Sequence, residues 1–171
     1  YGRGRRQVIE QDATRVLGRY FVRCGVDYYQ GEQVFRKAVE KFPDAEEAWG
    51  FRYWIAQAMW DAGNRDGARE YLEQLVKDQP QEAQAHATRA RFLQLRDVEL
   101  DTALSEIRTA QELAPDDHWN HYLEAEILYA QDDIDGALAA LNKAIDMADD
   151  VPAIYENRLS QWQLGEQVPG I

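Results

Sequence analysis

His118 and His121 stand three residues apart, with Asp117 before them and Glu124 after them. Two imidazoles and a carboxylate at that spacing share one helix face, which is the start of a metal site. Nothing else in the sequence adds a further ligand, so the four residues read as the polar first turn of an exposed helix and no metal is expected. His86 has no cysteine or serine at a spacing that would make a nucleophile–base pair. Cys24, the single cysteine, falls at a helix C-terminus, where the helix dipole disfavours a thiolate, and is expected to fill core. There is no glycine-rich phosphate loop and no serine elbow. Ten acids against the one Lys143 between residues 116 and 150 read as a solvated face. The expectation is a chain without catalysis and without a cofactor.

The remaining candidates grip rather than react. Arg15, Arg19 and Arg23 form an i, i+4, i+8 ladder. Guanidinium groups hold carboxylates in a bidentate fork, and aromatic side chains add contact area at small entropic cost. Tyr53, Gln57 and Trp60, then Arg91, then Tyr122, Glu126 and Tyr129, sit at comparable places farther along. Together with Asp12, Val22, Asp61, Gln84, Ala87 and Gln94 they would line one wall if the helices carrying them ran side by side.

Those helices are legible. Between Tyr53 and Pro80, apolar positions recur at helical spacing on both sides of Ala62-Gly63-Asn64. Gly63 can adopt the left-handed conformation that ends one helix and Asn64 can cap the next. A pair this short has one apolar face that only neighbours can cover. The same reading gives helices over 8–24, with Val8, Ile9, Ala13, Val16, Leu17, Phe21 and Cys24 inward, and over 28–41. Asp44 caps a longer helix over 45–61. Further helices follow over 82–95, 99–113, 117–130 and 134–147, with Asp133 as a cap, and 153–164 is left without a partner. Tyr1 to Arg6 lacks apolar periodicity and reads as a flexible basic lead-in. Pro43, Pro80, Pro115 and Pro152 are 37, 35 and 37 residues apart. Small residues at Gly31, Ala68, Ala103 and Ala137 open successive second helices, letting neighbours approach to about 8 Å.

On these residues the chain resembles the tetratricopeptide repeat family. The matching positions are Leu17-Gly18, Phe21, Gly25, Phe35, Ala38 and Pro43; Ile55-Ala56, Met59, Gly63, Ala68, Leu72 and Pro80; Ala90, Leu93, Ala103, Ile107, Ala110 and Pro115; and Ala125, Leu128, Ala137, Leu141 and Ala144. The resemblance implies an all-α, right-handed superhelical solenoid of about four antiparallel helix pairs plus a C-terminal helix. The expected organisation is a lead-in over 1–7, units over 8–43, 44–80, 81–115 and 116–150, a terminal helix over 153–164 and a tail over 165–171. Extra residues relative to the usual repeat fall in the second unit's first helix and in the Arg96–Leu100 turn. It also implies that first helices line a concave groove, placing Arg15, Arg19, Arg23, Tyr53, Gln57, Trp60, Arg91, Tyr122, Glu126 and Tyr129 against a bound protein or peptide, one that carries an acidic group. The second unit, with Phe42-Pro43-Asp44 and Tyr53-Trp54, is also similar to longer repeats of Gram-negative cell-envelope assembly proteins. That likeness implies a periplasmic or envelope setting.

Charge bounds the partner. Residues 1–41 carry nine Lys/Arg against five Asp/Glu, and residues 42–171 carry ten against twenty-six, for a net charge of −12. Nucleic-acid and anionic-membrane surfaces need a cationic surplus, so neither is expected. No apolar run is long enough to cross a bilayer. The basic first unit and acidic fourth suit head-to-tail association between copies, or docking against further repeats of a larger assembly.

Overall fold

The computed structural model describes residues 2–43, 45 and 47–163, with side chains from residue 10 onward. Among them are nine helices and no strand: α1 (Gly2–Arg23), α2 (Tyr28–Lys41), α3 (Ala48–Asp61), α4 (Arg65–Asp78), α5 (Ala83–Gln94), α6 (Leu100–Leu113), α7 (His118–Ala130), α8 (Ile134–Met147) and α9 (Ala153–Gln163). The chain divides into two compact units, Tyr1–Gln79 and Pro80–Ile171. The expected cap Asp44, the side chains of Val8 and Ile9, Leu164 and the tail over 165–171 lie outside the described residues.

Local chemistry sets the helix ends. Gly25 (φ +62°) and Gly63 (φ +89°) take the left-handed conformation that closes α1 and α3. Asp27, Asn64, Asp117 and Asp133 each accept a hydrogen bond from a first-turn backbone N–H, capping α2, α4, α7 and α8. The extra residues of the Arg96–Leu100 turn are absorbed by two left-handed non-glycine residues, Asp97 (φ 51°) and Glu99 (φ 50°).

In unit 1, α1 packs on α2 and α3, α2 on α3, and α3 on α4. Phe35 is fully buried and its ring stacks on Phe51 and Trp54 at 5.8 and 6.1 Å. Ala38, Ile55 and Ala58 complete that core, with Val22 at 2% exposure. In unit 2, α5–α6 and α7–α8 are helix pairs packed in series, and α9 follows on α8. The small residues named above, Gly31, Ala68, Ala103 and Ala137, are all buried where second helices meet first ones.

Several expectations are corrected. The first helix begins at Gly2, so the lead-in supplies its first turns. The third begins at Ala48 and has 14 residues, the length of its neighbours; the extra residues lie in the connection before it. The stripe assigned inward on α1 is open: Val16 is 67% and Leu17 49% exposed, Tyr20 beside them 54%, and Cys24 is exposed rather than core. On α3 the matching positions hold Trp54, Ile55 and Ala58, packed against the core shared with the preceding second helix, Ile55 and Ala58 fully buried. Among the described residues α1 packs on α2 and α3, and neither covers this stripe.

Candidate functional site: the α1–α3 pocket and the α7 face

In unit 1, α1 and α3 run side by side and enclose a cavity of about 410 Å³ lined by Arg15, Glu47, Gly50, Phe51 and Trp54. Arg19 lies one turn beyond Arg15, its guanidinium carbon 5.3 Å from the centre of the Trp54 ring. Arg15 donates to Asp12 at 2.7 Å, an exposed i, i+3 pair that water weakens and that a better acceptor can replace. Phe35, beneath Phe51 and Trp54, fixes the apolar floor. Gly50 has open space where a Cβ would stand. It stands in the first turn of α3, and its lack of a side chain keeps the cavity open.

Other expected residues fall unevenly. Arg23 is exposed at the end of the ladder. Val22, expected on the wall, is instead in the core. Tyr53 meets Trp54 edge-on at 5.7 Å and donates to Gln57 at 3.4 Å. Trp60 packs beneath two guanidinium groups of α4, Arg65 at 5.3 Å and Arg69 at 5.5 Å. Sequence reasoning did not find Gly50, Phe51 or Glu47. The available signal was an unexplained glycine near the start of an otherwise regular helix.

In unit 2, the polar residues expected on an exposed first turn are committed to the interior. His118 Nδ1 is 2.8 Å from the Tyr155 hydroxyl, and His121, 4% exposed, takes a hydrogen bond at Nδ1 from Gln111 at 3.1 Å. Burial, then the nearby Lys143, lowers the His121 pKa against the opposing pull of Glu124 and Asp117, in keeping with a neutral ring that accepts. Among the described residues no three histidine, cysteine or acidic side chains gather as a metal-holding group. His86 belongs to a buried cluster: Nδ1 lies 2.5 Å from Glu106, Nε2 lies 3.1 Å from the Pro80 carbonyl, and Arg89 donates to the other Glu106 oxygen at 2.6 Å.

The α7 residues expected to face a ligand face α9. Tyr122, 4% exposed, stacks on Tyr155 at 4.7 Å and 16°; Tyr129 stacks on Trp162 at 4.4 Å and 7°; Arg158 donates to Glu126 at 2.5 Å. Burial pushes the Tyr122 hydroxyl well above its usual range, the Glu126 carboxylate adding to the effect. Burial also raises Tyr155, to about 12. Burial is the largest influence on Arg158 and opposes its charge, but Glu126 and Tyr122 together outweigh it and the pKa is raised. Arg91, from α5, is exposed with its guanidinium 6.0 Å from the Trp119 ring, next to this cluster.

Serial antiparallel helix pairs with small residues at the crossings define an α-helical repeat protein, built as solenoids are. The sequence agrees: residues 27–92 match the tetratricopeptide repeat profile. No curated protein matches the chain. Solved structures do. A thermophilic tetratricopeptide repeat protein from Thermus thermophilus superposes with a TM-score of 0.64 at 21% identity, over 91% of this chain and 82% of that one. MamA of Desulfovibrio magneticus RS-1, from residue 41 to its end, gives 0.59 at 16%, over 92% and 85%. YrrB, described as a tetratricopeptide repeat protein with an unusual peptide-binding site, gives 0.58 at 20%, over 88% and 74%. Residues 27–92 carry the tetratricopeptide repeat match, and the solved structures show the same helical-repeat fold over about nine-tenths of the chain.

Proposed function

We propose that this chain is a non-catalytic interaction scaffold that receives a peptide or protein segment in the α1–α3 pocket, an apolar side chain entering over Phe51 and Trp54 while a carboxylate meets Arg15 and Arg19. The supporting observation is the opening at Gly50, apolar beneath and cationic at one rim. Arg23 and Tyr53 extend the same surface along α1 and α3. The likeness to YrrB, a protein with a peptide-binding site, supports the same reading.

The test is selection of acidic, aromatic-containing peptides from a displayed library against the intact chain, followed by titration of the winners. Gly50→Trp should abolish their binding while leaving the thermal transition within a few degrees, since open space receives the new side chain. Arg15→Glu with Arg19→Glu should weaken binding by about 1 kcal/mol or more. Winners that bind Gly50→Trp as well as the parent would remove the pocket from the reading.

A second reading is structural. The open stripe of Val16, Leu17 and Tyr20 holds the positions that α3 buries against a second helix. It suits a second helix from another repeat, of a larger cell-envelope or polymer-export assembly or of another copy meeting the basic end with its acidic one. If copies meet there, sedimentation at low salt will show association that rises with concentration and is lost in Leu17→Asp. A monomer at all concentrations would rule out the self-associating form.

A further inference from the structure

The α7 face is a built surface with an occupant already in place. Tyr122, Glu126 and Tyr129 present aromatic, acid and aromatic along one helix, and α9 answers with Tyr155, Arg158 and Trp162, at i, i+3 and i+7. The face itself does not depend on α9, because α7 is packed on both α6 and α8.

The occupant packs along α8 and is held on α7 by few side chains. It has 11 residues, too few to be helical alone in water. Only Tyr155 and Trp162 are buried, whereas Ala153, Ile154, Glu156, Asn157, Ser160 and Gln163 are exposed. It is tethered to α8 by the short segment over 148–152. Its hold on α7 centres on the stacked rings of Tyr155 and Trp162, the His118–Tyr155 hydrogen bond and one ion pair whose side chains are 14% and 21% exposed. If α9 left, water would reach Glu126 and the tyrosine rings, and the face would offer an anion between two aromatic plates.

We propose that this face is a binding surface for a helical segment of another protein that sets a cationic side chain between two aromatic ones at i, i+3 and i+7, and that α9 is the tethered copy it displaces. The charge selected is opposite to that of the α1–α3 pocket, so the two surfaces would take different segments. The inference does not rest on the pocket. A tethered helix competes at high effective concentration, so the outside segment binds weakly until the tether's own contacts are weakened.

The probe is a fluorescein-labelled synthetic peptide of residues 150–163, titrated by anisotropy into the full chain. The parent should bind it weakly, and the double variant Arg158→Ala, Trp162→Ala at least ten-fold more tightly. Adding Glu126→Lys should abolish that binding, and a peptide carrying Arg158→Glu should restore it. Equal affinity for parent and double variant, or indifference to Glu126→Lys, would overturn the proposal. Should the double variant fail to fold, hydrogen exchange on the parent decides: amides of α9 exchanging many-fold faster than those of α7 uphold displacement, and equal protection overturns it. A dimer that forms on mixing and vanishes with Glu126→Lys would overturn the outside partner in favour of a second copy.

Discussion

Replacing Phe35 with alanine is expected to destabilise unit 1 by about 3–5 kcal/mol, the range for a fully buried phenylalanine that leaves a cavity. The ring joins three helices. It rises from α2, stacks on Phe51 and Trp54 of α3, and lies against Gly18 of α1 so closely that a Cβ there would stand 2.4 Å from its Cζ. Collapse is hindered because these neighbours are ring-shaped and helix-bound. Urea denaturation of the full chain, followed through the unit 1 tryptophans, should show the early transition moving to lower urea. The close approach supplies an internal control. Gly18→Ala alone should be destabilising by about 1–3 kcal/mol, as over-packing is, and its cost should shrink when Phe35 is also leucine. Additive costs would mean that the ring and the glycine do not share the space between α1 and α2. Since Phe35 underlies the pocket floor, the alanine variant should also lose any ligand that Gly50→Trp excludes.

Helix ends were legible because each has a local cause. Gly25, Gly63, Asn64 and Asp133 perform the capping and reversal that their residue types announce. The buried small residues were legible too, since a repeat places them in phase. What escaped depends on partners distant in sequence. Periodicity shows which face of α1 is apolar, but whether Val16 and Leu17 are covered depends on a helix before them. Tyr122, Glu126 and Tyr129 share one face of α7, as their spacing indicates. That residues of α9 would cover them follows from side chains more than thirty positions away, such as Arg158 for Glu126. His118 and His121 looked like solvent-facing polar residues for the same reason. Their partners, Tyr155 and Gln111, lie 37 residues ahead and 10 behind. Gly50 was passed over because the space where its Cβ would stand is open, and an opening leaves no pattern of apolar residues.

Replacing Glu106 with alanine should destabilise unit 2 by about 3–5 kcal/mol, the range for removing one member of a buried ion pair. The carboxylate, 12% exposed, accepts from Arg89 with one oxygen and faces His86 Nδ1 with the other. His86 also meets a second acceptor at Nε2, the Pro80 carbonyl. Deleting the acid leaves two buried donors, His86 8% and Arg89 18% exposed, without their acceptor. Glu106→Gln keeps an acceptor oxygen for one of them and should cost less than alanine. The partners can be tested together: in a His86→Leu, Arg89→Met background the donors are gone, so Glu106→Leu should be nearly neutral, because an apolar trio of similar volume replaces a satisfied polar one. Urea titrations of the four chains form the cycle. An alanine variant within about 1 kcal/mol of the parent would mean that water already satisfies Arg89 and His86, and that the cluster orients α5 against α6 without stabilising the pair.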